Sequence, residues 1–393
     1  MTGGDAASDG GPSGDRGSGL SVTMCRDPLQ FAGLAEEWGR LYRRCRTATS
    51  FQTHSWLHSW WTSYGRPRRL RVLLVRQAGE LIGAAPLMLA HRPLPVLVPL
   101  GGRITDFSDV LLDDGAAAIA ATAMARGLRR AARGAVLDLR EVRPGAAADL
   151  LYDCWQGPKR RLADSVCMEL PGAPIDELIT RMSTSRAQRT RAKVRKLDSM
   201  GIEEHAVPEH EVPAAVENLL RLHKLQWAGR GVTTEHVRPR FADHLKRAAQ
   251  HMVASGDALV TEYRMNGEVV AADLKMLSPQ LVGGYLVGAD PRLRTTRVDV
   301  TTMLLRHGAG HAAGAGIGTL SLLRGNHPDK LPWCPDITAN QRLLMAGPML
   351  APALQLQVAR TAGRAWLVRV VLRHLPVVRT WRSRLNIWRA ERI

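Results

Sequence analysis

The strongest constraint on this chain is that part of it occurs twice. From Arg71 to Leu89 the residues alternate in the manner of two strands rich in Val, Leu and Ile around a Gln-Ala-Gly-Glu turn. From Leu259 to Leu277 the same pattern returns around Asn266-Gly267, the strongest short hairpin signal. Aligned at a separation of 188 residues, the segments agree at Arg76 and Arg264, Gly79 and Gly267, Glu80 and Glu268, Ala84 and Ala272, Met88 and Met276, and Leu89 and Leu277. Each hairpin is followed by an extended segment (Pro95 to Leu100; Leu281 to Val287), an alanine-rich helix (Gly115 to Arg133; Val298 to Ala313) and a short strand (Val136 to Leu139; Thr319 to Leu322). A duplicated β-β-β-α-β unit predicts two α/β domains of one architecture. The expected boundaries are a disordered leader at 1–20, a first domain at 21–170, a basic linker helix region at 171–208, a second domain at 209–346 and basic amphipathic helices at 347–393. After Pro208, Leu219, Leu222, His223 and Trp227 recur at helical spacing.

Composition excludes several classes. A 45% hydrophobic fraction over 393 residues is that of a globular protein. The leader lacks a basic start followed by an apolar stretch, and runs such as Pro93 to Leu100 fall far short of the roughly 18 residues that span a bilayer. The five cysteines, Cys25, Cys45, Cys154, Cys167 and Cys334, are odd in number and show no CxxC or Cys/His spacing. Reduced thiols, no metal and a cytoplasmic setting are expected. The net charge of +18 is concentrated in two places. Seven basic residues and no acid lie between Arg181 and Lys196, and nine arginines with only Glu391 lie beyond Gly347, so the two segments hold +15 of the total. A body this close to neutral is not a phosphate-tracking face, and nucleic acid is an unexpected partner unless it is tRNA.

With those features in order, the chain resembles the GNAT-like acetyltransferases of the cellulose-biosynthesis type, which are relatives of the Fem-type peptidoglycan aminoacyltransferases. The resemblance rests on Phe51-Gln-Thr-His-Ser-Trp56 with Trp60-Trp61, the first hairpin, and Leu100-Gly-Gly-Arg-Ile-Thr-Asp-Phe-Ser-Asp109. It continues through Ser183-Thr-Ser-Arg186 to Arg195-Lys-Leu197, Leu225-Gln-Trp227 with Arg230-Gly231, and Leu322-Leu-Arg-Gly-Asn326 with Lys330 and Trp333. It implies tandem GNAT domains of the α/β (α+β) class, each a mixed, mostly antiparallel sheet flanked by helices, transfer of an acyl or aminoacyl group, and a working site mainly in the second domain. Ser321 stands where an acid is usual in that family, and Asp329 where an aromatic is usual.

Acyl transfer from a thioester needs donors for an oxyanion, a base for the acceptor's proton and a place for the donor's diphosphate. Arg294, Arg297, Thr301 and Thr302, around a helix start, are the candidates for binding acetyl-CoA or another acyl-CoA; the alternative is an ordinary capped helix. The loop Arg324-Gly-Asn-His-Pro-Asp-Lys330 offers His327 or Asp329 as base and Arg324 or Lys330 as charge stabiliser, and a polar turn is its plainer reading. Asp273, where the first unit has Ala85, and Asp106 and Asp109 are candidates for acceptor binding. Trp227 is a candidate platform, although it and Trp56, Trp60 and Trp61 equally suit a core. Three functions fit: a coenzyme A-dependent acyltransferase acting on an amine or hydroxyl of a small-molecule or glycan-precursor acceptor, a Fem-like transferase using aminoacyl-tRNA, or a catalytically reduced binding module. In the tail, Trp366, Val370, Val377, Trp381, Leu385 and Trp388 form a stripe among arginines, interrupted near Pro376. The stripe is expected to pack on the second domain or to lie peripherally on an anionic membrane.

Overall fold

In the computed structural model, which describes residues 19–91, 94–228, 233–325 and 330–374, the two units appear as two runs of strands that meet in one sheet. The first run is β1 (Leu20–Cys25), β2 (Leu70–Gln77), β3 (Glu80–His91), β4 (Pro95–Pro99), the short β5 (Leu111–Leu112), β6 (Val136–Val142) and β7 (Lys159–Pro171). The second is β8 (Glu203–Ala206), β9 (Ala258–Met265), β10 (Glu268–Leu277), β11 (Val282–Ala289), β12 (Thr319–Arg324) and β13 (Asp336–Met345). The first run carries α1 (Pro28–Ala32), α2 (Ala35–Arg43), α3 (His54–Tyr64), α4 (Ala117–Ala131) and α5 (Ala147–Cys154). Then follow α6 (Ile175–Thr180), the basic α7 (Thr184–Ser199), α8 (Val212–Trp227), α9 (Pro239–Ala254), α10 (Arg292–Thr295), α11 (Val300–Gly314) and α12 (Ala351–His374).

Both hairpins form where the turn residues demand them. Ala78-Gly79 and Asn266-Gly267 have positive φ at both central positions (49° and 88°; 54° and 80°), the geometry that joins two twisted strands without splaying them. In each unit the alanine-rich helix is a crossover between two parallel strands, which pair for only two residues. Val96 and Leu97 of β4 meet Val136 and Leu137 of β6, while Val282 and Gly283 of β11 meet Leu320 and Ser321 of β12. Beyond those pairs the strands diverge.

The sheet runs β1-β2-β3-β4-β6-β13-β7-β12-β11-β10-β9-β8, with β5 paired to β3. Its two halves mirror each other, but the final strands are exchanged. β13, which ends the second unit, pairs with β6 of the first, and β7 pairs with β12 of the second. Between them β7 and β13 form a long antiparallel ladder, from Glu169 opposite Asp336 to Lys159 opposite Met345.

One hydrophobic cluster serves both units, joining Trp38, Phe51 and Trp56 to Leu219, Phe241 and Leu274. At its centre α3 packs across α9. The Trp56 ring meets His244 edge-on at 4.5 Å, and Ser59 Oγ donates to the His244 carbonyl at 2.9 Å. Trp56, Trp60 and Trp61 are buried, so this aromatic helix is core. The start of α12 packs where the two units meet, on strands of both. Leu354 is buried against Val96, Val98 and Val136 of the first unit and Leu344 and Ala346 beside them. Trp366 is exposed; Pro376, Val377, Trp381, Leu385 and Trp388 lie outside the described residues, as does the side chain of Val370. Among the described residues no helix is long and apolar enough to cross a membrane.

Because β7 completes the second unit and β13 the first, residues 19–172 and 173–374 made as separate chains should each lack a cooperative melt. Mixed, they should co-elute as one folded species. A cooperative transition in either half alone would contradict the exchanged-strand architecture.

Candidate active site

The divergence of β11 from β12 opens a wedge, and the hydrogen-bond phase of the ladder tells what lines it. Asp290 N donates to Val270 O at 2.8 Å, so residues of β11 opposite β10 alternate from that bonded pair. The backbone groups of Ala289 and Val287 therefore point away from β10, toward the edge that β12 has left. A register shift between Leu274 and Lys275 leaves Tyr285 as an extra residue, a bulge that bends the strand at the mouth of the wedge. Gly284 next to it is exposed, and an added Cβ there would meet nothing within 4 Å.

At the far end of β11 a cleft of about 220 Å³ is lined by Gln226, Ala289, Asp290, Arg294, Val298, Asp299, Val300 and Thr301. Two of the predicted donor residues, Arg294 and Thr301, face it. Arg294 is exposed, and its Nη2 reaches the Gln226 carbonyl at 3.2 Å. Arg297 is exposed on a left-handed turn (φ 55°), and Thr302 is buried. The helix start carries its own anion: Asp299 Oδ1 accepts from Thr302 N at 2.8 Å, and Oδ2 from Lys193 Nζ at 2.5 Å. Burial raises the Asp299 carboxyl, but the bonds from Lys193 and Thr302 outweigh it and hold it below the usual range. An incoming diphosphate would therefore be met by Arg294 and the first turn's side chains more than by an uncapped helix dipole.

The exchanged strands bring a second group of predicted residues together from opposite ends of the sequence. Arg324, at the end of β12, lies 3.3 Å from Asp106 and 3.0 Å from Glu141, and donates to Arg103 O at 2.9 Å. Glu141 also accepts from Ser165 and, at 3.1 Å, from Asn340 on β13. Burial lifts the Asp106 carboxyl, and the Arg324 charge only partly offsets the rise. Lys330 turns inward on its own loop, donating to Leu322 O at 2.7 Å. His327 and Asp329 lie outside the described residues.

The other candidates are placed apart from this group. Asp109 accepts from the backbone N–H groups of Val110, Ala147 and Ala148, and so caps α5; burial pushes its carboxyl up to about 7 against those three bonds. Asp273 is buried under α11 in an ion pair with Lys275, whose Nζ is 2.9 Å from His307 Nδ1 and 3.5 Å from Tyr263 OH. One oxygen of Asp273 has no partner among the described residues. Lys275 stands where the first unit has Leu87, the same apolar-to-charged change that singles out Asp273, so a fuller comparison of the repeats would have found it. Trp227 is half-buried at the end of α8, and its indole N–H has no partner among the described residues. Ser321 is buried, with its Oγ accepting from Leu323 N at 3.1 Å. The corresponding acid of the first unit, Asp138, forms a two-pronged pair with Arg342 of β13 at 2.6 and 2.7 Å.

Residues 184–331 match the family of the acetyltransferase (GNAT) domain. Among solved structures, FemX superposes with a TM-score of 0.59 at 12% identity, covering 82% of this chain and 98% of that one. The C-terminal domain of a putative lysylphosphatidylglycerol synthetase from Agrobacterium fabrum gives a TM-score of 0.53 at 12% identity over 83% and 95%. L-PGS from Bacillus licheniformis gives 0.51 at 12% over 85% and 96%. No curated protein matches in sequence. Residues 184–331 thus resemble a GNAT-type acetyltransferase domain, and the chain shares its fold with these structures.

Removing Arg324 leaves Asp106 and Glu141 without their cation. With a quarter of the Arg324 side chain exposed (25%), Arg324→Ala should cost about 2 kcal/mol, below the loss for a fully buried pair. A carboxyl raised by the fold weakens the fold as pH climbs from its unfolded value toward its folded one. Without Arg324 the rise at Asp106 is larger, so the melting deficit of the variant should be small near about pH 4 and grow toward about pH 7. A deficit that stays constant over that range would remove Asp106 from the pair.

Proposed function

We propose that the chain is a coenzyme A-dependent acyltransferase whose donor lies along the open edge of β11 and whose acceptor is an amine or hydroxyl of a cell-envelope, polysaccharide or natural-product precursor. The observation that carries this reading is the wedge. Between Gly284 and Asp290 it offers roughly 15–20 Å of strand edge that β12 does not pair, on which His223 takes the Val287 carbonyl. A pantetheine arm, which has two amides, can bond to such an edge as an added strand would. At one end Arg294 and Thr301 stand ready for phosphate; at the other the bulge at Tyr285 sets strand N–H groups where a thioester oxygen would develop charge. The match of residues 184–331 to the acetyltransferase domain supports the same assignment. The free cysteines suit a cytoplasmic enzyme, and the basic tail would allow a peripheral membrane contact.

A second reading, a Fem-like transfer from aminoacyl-tRNA, draws on α7. Lys193 and Lys196 anchor that helix to Asp299 and to Thr296 O at the start of α11. Arg186, Arg191 and Arg195 on it are exposed and have no acidic partner among the described residues. A row of cations beside the donor cleft is what an RNA acceptor stem would meet.

Melting the purified protein with acetyl-CoA and, separately, with aminoacyl-tRNA distinguishes the two. A ligand at about 100 times its Kd should add about 2.7 kcal/mol. Stabilisation by the tRNA alone would replace the coenzyme reading. Within the coenzyme reading, Gly284→Leu should leave the melting temperature of the free protein nearly unchanged, because the added atoms enter open space, yet weaken coenzyme A binding at least tenfold by filling the wedge. Unaltered binding by calorimetry would put the donor elsewhere.

A further inference from the structure

The open edge of β11 is not bare along its whole length. His223, buried on α8, directs Nδ1 at Val287 O, 2.6 Å away. By the ladder phase that carbonyl belongs to the edge facing the wedge, so the imidazole stands where a residue of β12 would have stood. Its other nitrogen, Nε2, is 3.2 Å from Nδ1 of His236. The His236 ring is stacked on buried Phe241, with centroids 4.7 Å apart and planes 20° apart, which fixes its orientation.

The protons of this chain follow from its far end. A carbonyl only accepts, so His223 carries its proton on Nδ1 and accepts on Nε2. His236 must then donate from Nδ1, which leaves its Nε2 as a basic lone pair with no hydrogen-bond partner among the described residues. The neighbouring acid, Glu235, is held by Arg240 at 2.7 Å and Arg238 at 3.7 Å and is not a competing base.

We propose that His236 is the proton acceptor of the transfer, with His223 as the positioning residue that fixes its tautomer from the edge of the donor wedge. The proposal rests on the reading that an acyl thioester occupies that wedge. As the acceptor's nitrogen or oxygen attacks the thioester carbonyl carbon, its proton passes to His236 Nε2. When the carbon–sulfur bond breaks, the imidazolium returns the proton to the leaving thiolate. Thioester and amine become amide and thiol, or thioester and alcohol become ester and thiol, and the imidazole is unchanged. Burial, then the proximity of His223, lowers His236 to about 4, so it is neutral and able to accept at physiological pH.

The test follows thiol release from acetyl-CoA by the full chain with a panel of simple amines and alcohols, alongside calorimetry with coenzyme A. His236→Ala should lower kcat/KM about a hundredfold and leave coenzyme A affinity within about twofold, and free imidazole should restore part of the lost rate. His223→Gln can still donate to Val287 O and accept from His236, so it should keep most of the activity, while His223→Leu should lose at least about tenfold. Full turnover by His236→Ala with normal coenzyme binding, or a loss that imidazole does not touch, overturns the proposal and leaves the donor reading standing. If the unaltered protein does not bind coenzyme A, the donor reading falls. Nitrogen NMR of the imidazoles then decides the tautomer chain alone: an unprotonated Nε2 on His236 at neutral pH supports it, and a protonated one overturns it.

Discussion

Between β7 and β13 the chain pairs residues more than 150 positions apart, from Lys159 opposite Met345 to Glu169 opposite Asp336, and the polar contacts around Glu141 hang on that register. The ladder puts Asn340 beside Ser165 and Glu141, and Glu141 beside Arg324. A slip of one residue would turn each of these side chains to the opposite face. The exchange also explains why one hydrophobic cluster spans both units: neither sheet is complete without a strand of the other, so α3 and α9 close over a shared core.

The duplication is symmetric in its backbone and asymmetric in its chemistry. Both units splay their parallel pair after two residues. In the first unit the surface at the splay is covered: α12 buries Leu354 on Val96, Val98 and Val136, and Asp138 is taken up by Arg342. In the second unit Gly284 stays exposed, Ser321 replaces the acid, and the carbonyl of Val287 is met by an imidazole. The second unit also holds a buried Asp273–Lys275–His307 group where the first has Ala85 and Leu87 opposite its helix, a costly arrangement inside a core. The apolar cover thus lies over the first splay, and the open strand edge and buried charges lie in the second unit.

Much of the fold was legible in the sequence. Asn266-Gly267 determines its hairpin locally, since both residues tolerate positive φ; in the first hairpin Gly79 does so, while Ala78 takes a left-handed φ that alanine rarely adopts. The alanine-rich helices and the strands after them follow from hydrophobic period, and so does the position of α8, with Leu219, Leu222 and His223 on its buried side. The residues themselves also marked Arg324 and Asp106 as chemically distinctive. What they could not show was that a loop of the first unit and a strand end of the second meet at 3.3 Å, because that distance depends on the exchanged strands and no local signal encodes which of several similar strands will be the partner. The same holds for the roles of Asp109 and Asp299. An aspartate before a helix and one that caps a distant helix look alike in sequence, and only the packing showed the first serving α5 and the second filling the anion site at α11. His223 and His236 lie thirteen residues apart with nothing between them to announce a pair; the edge of β11, left open by the splay, is what joins them.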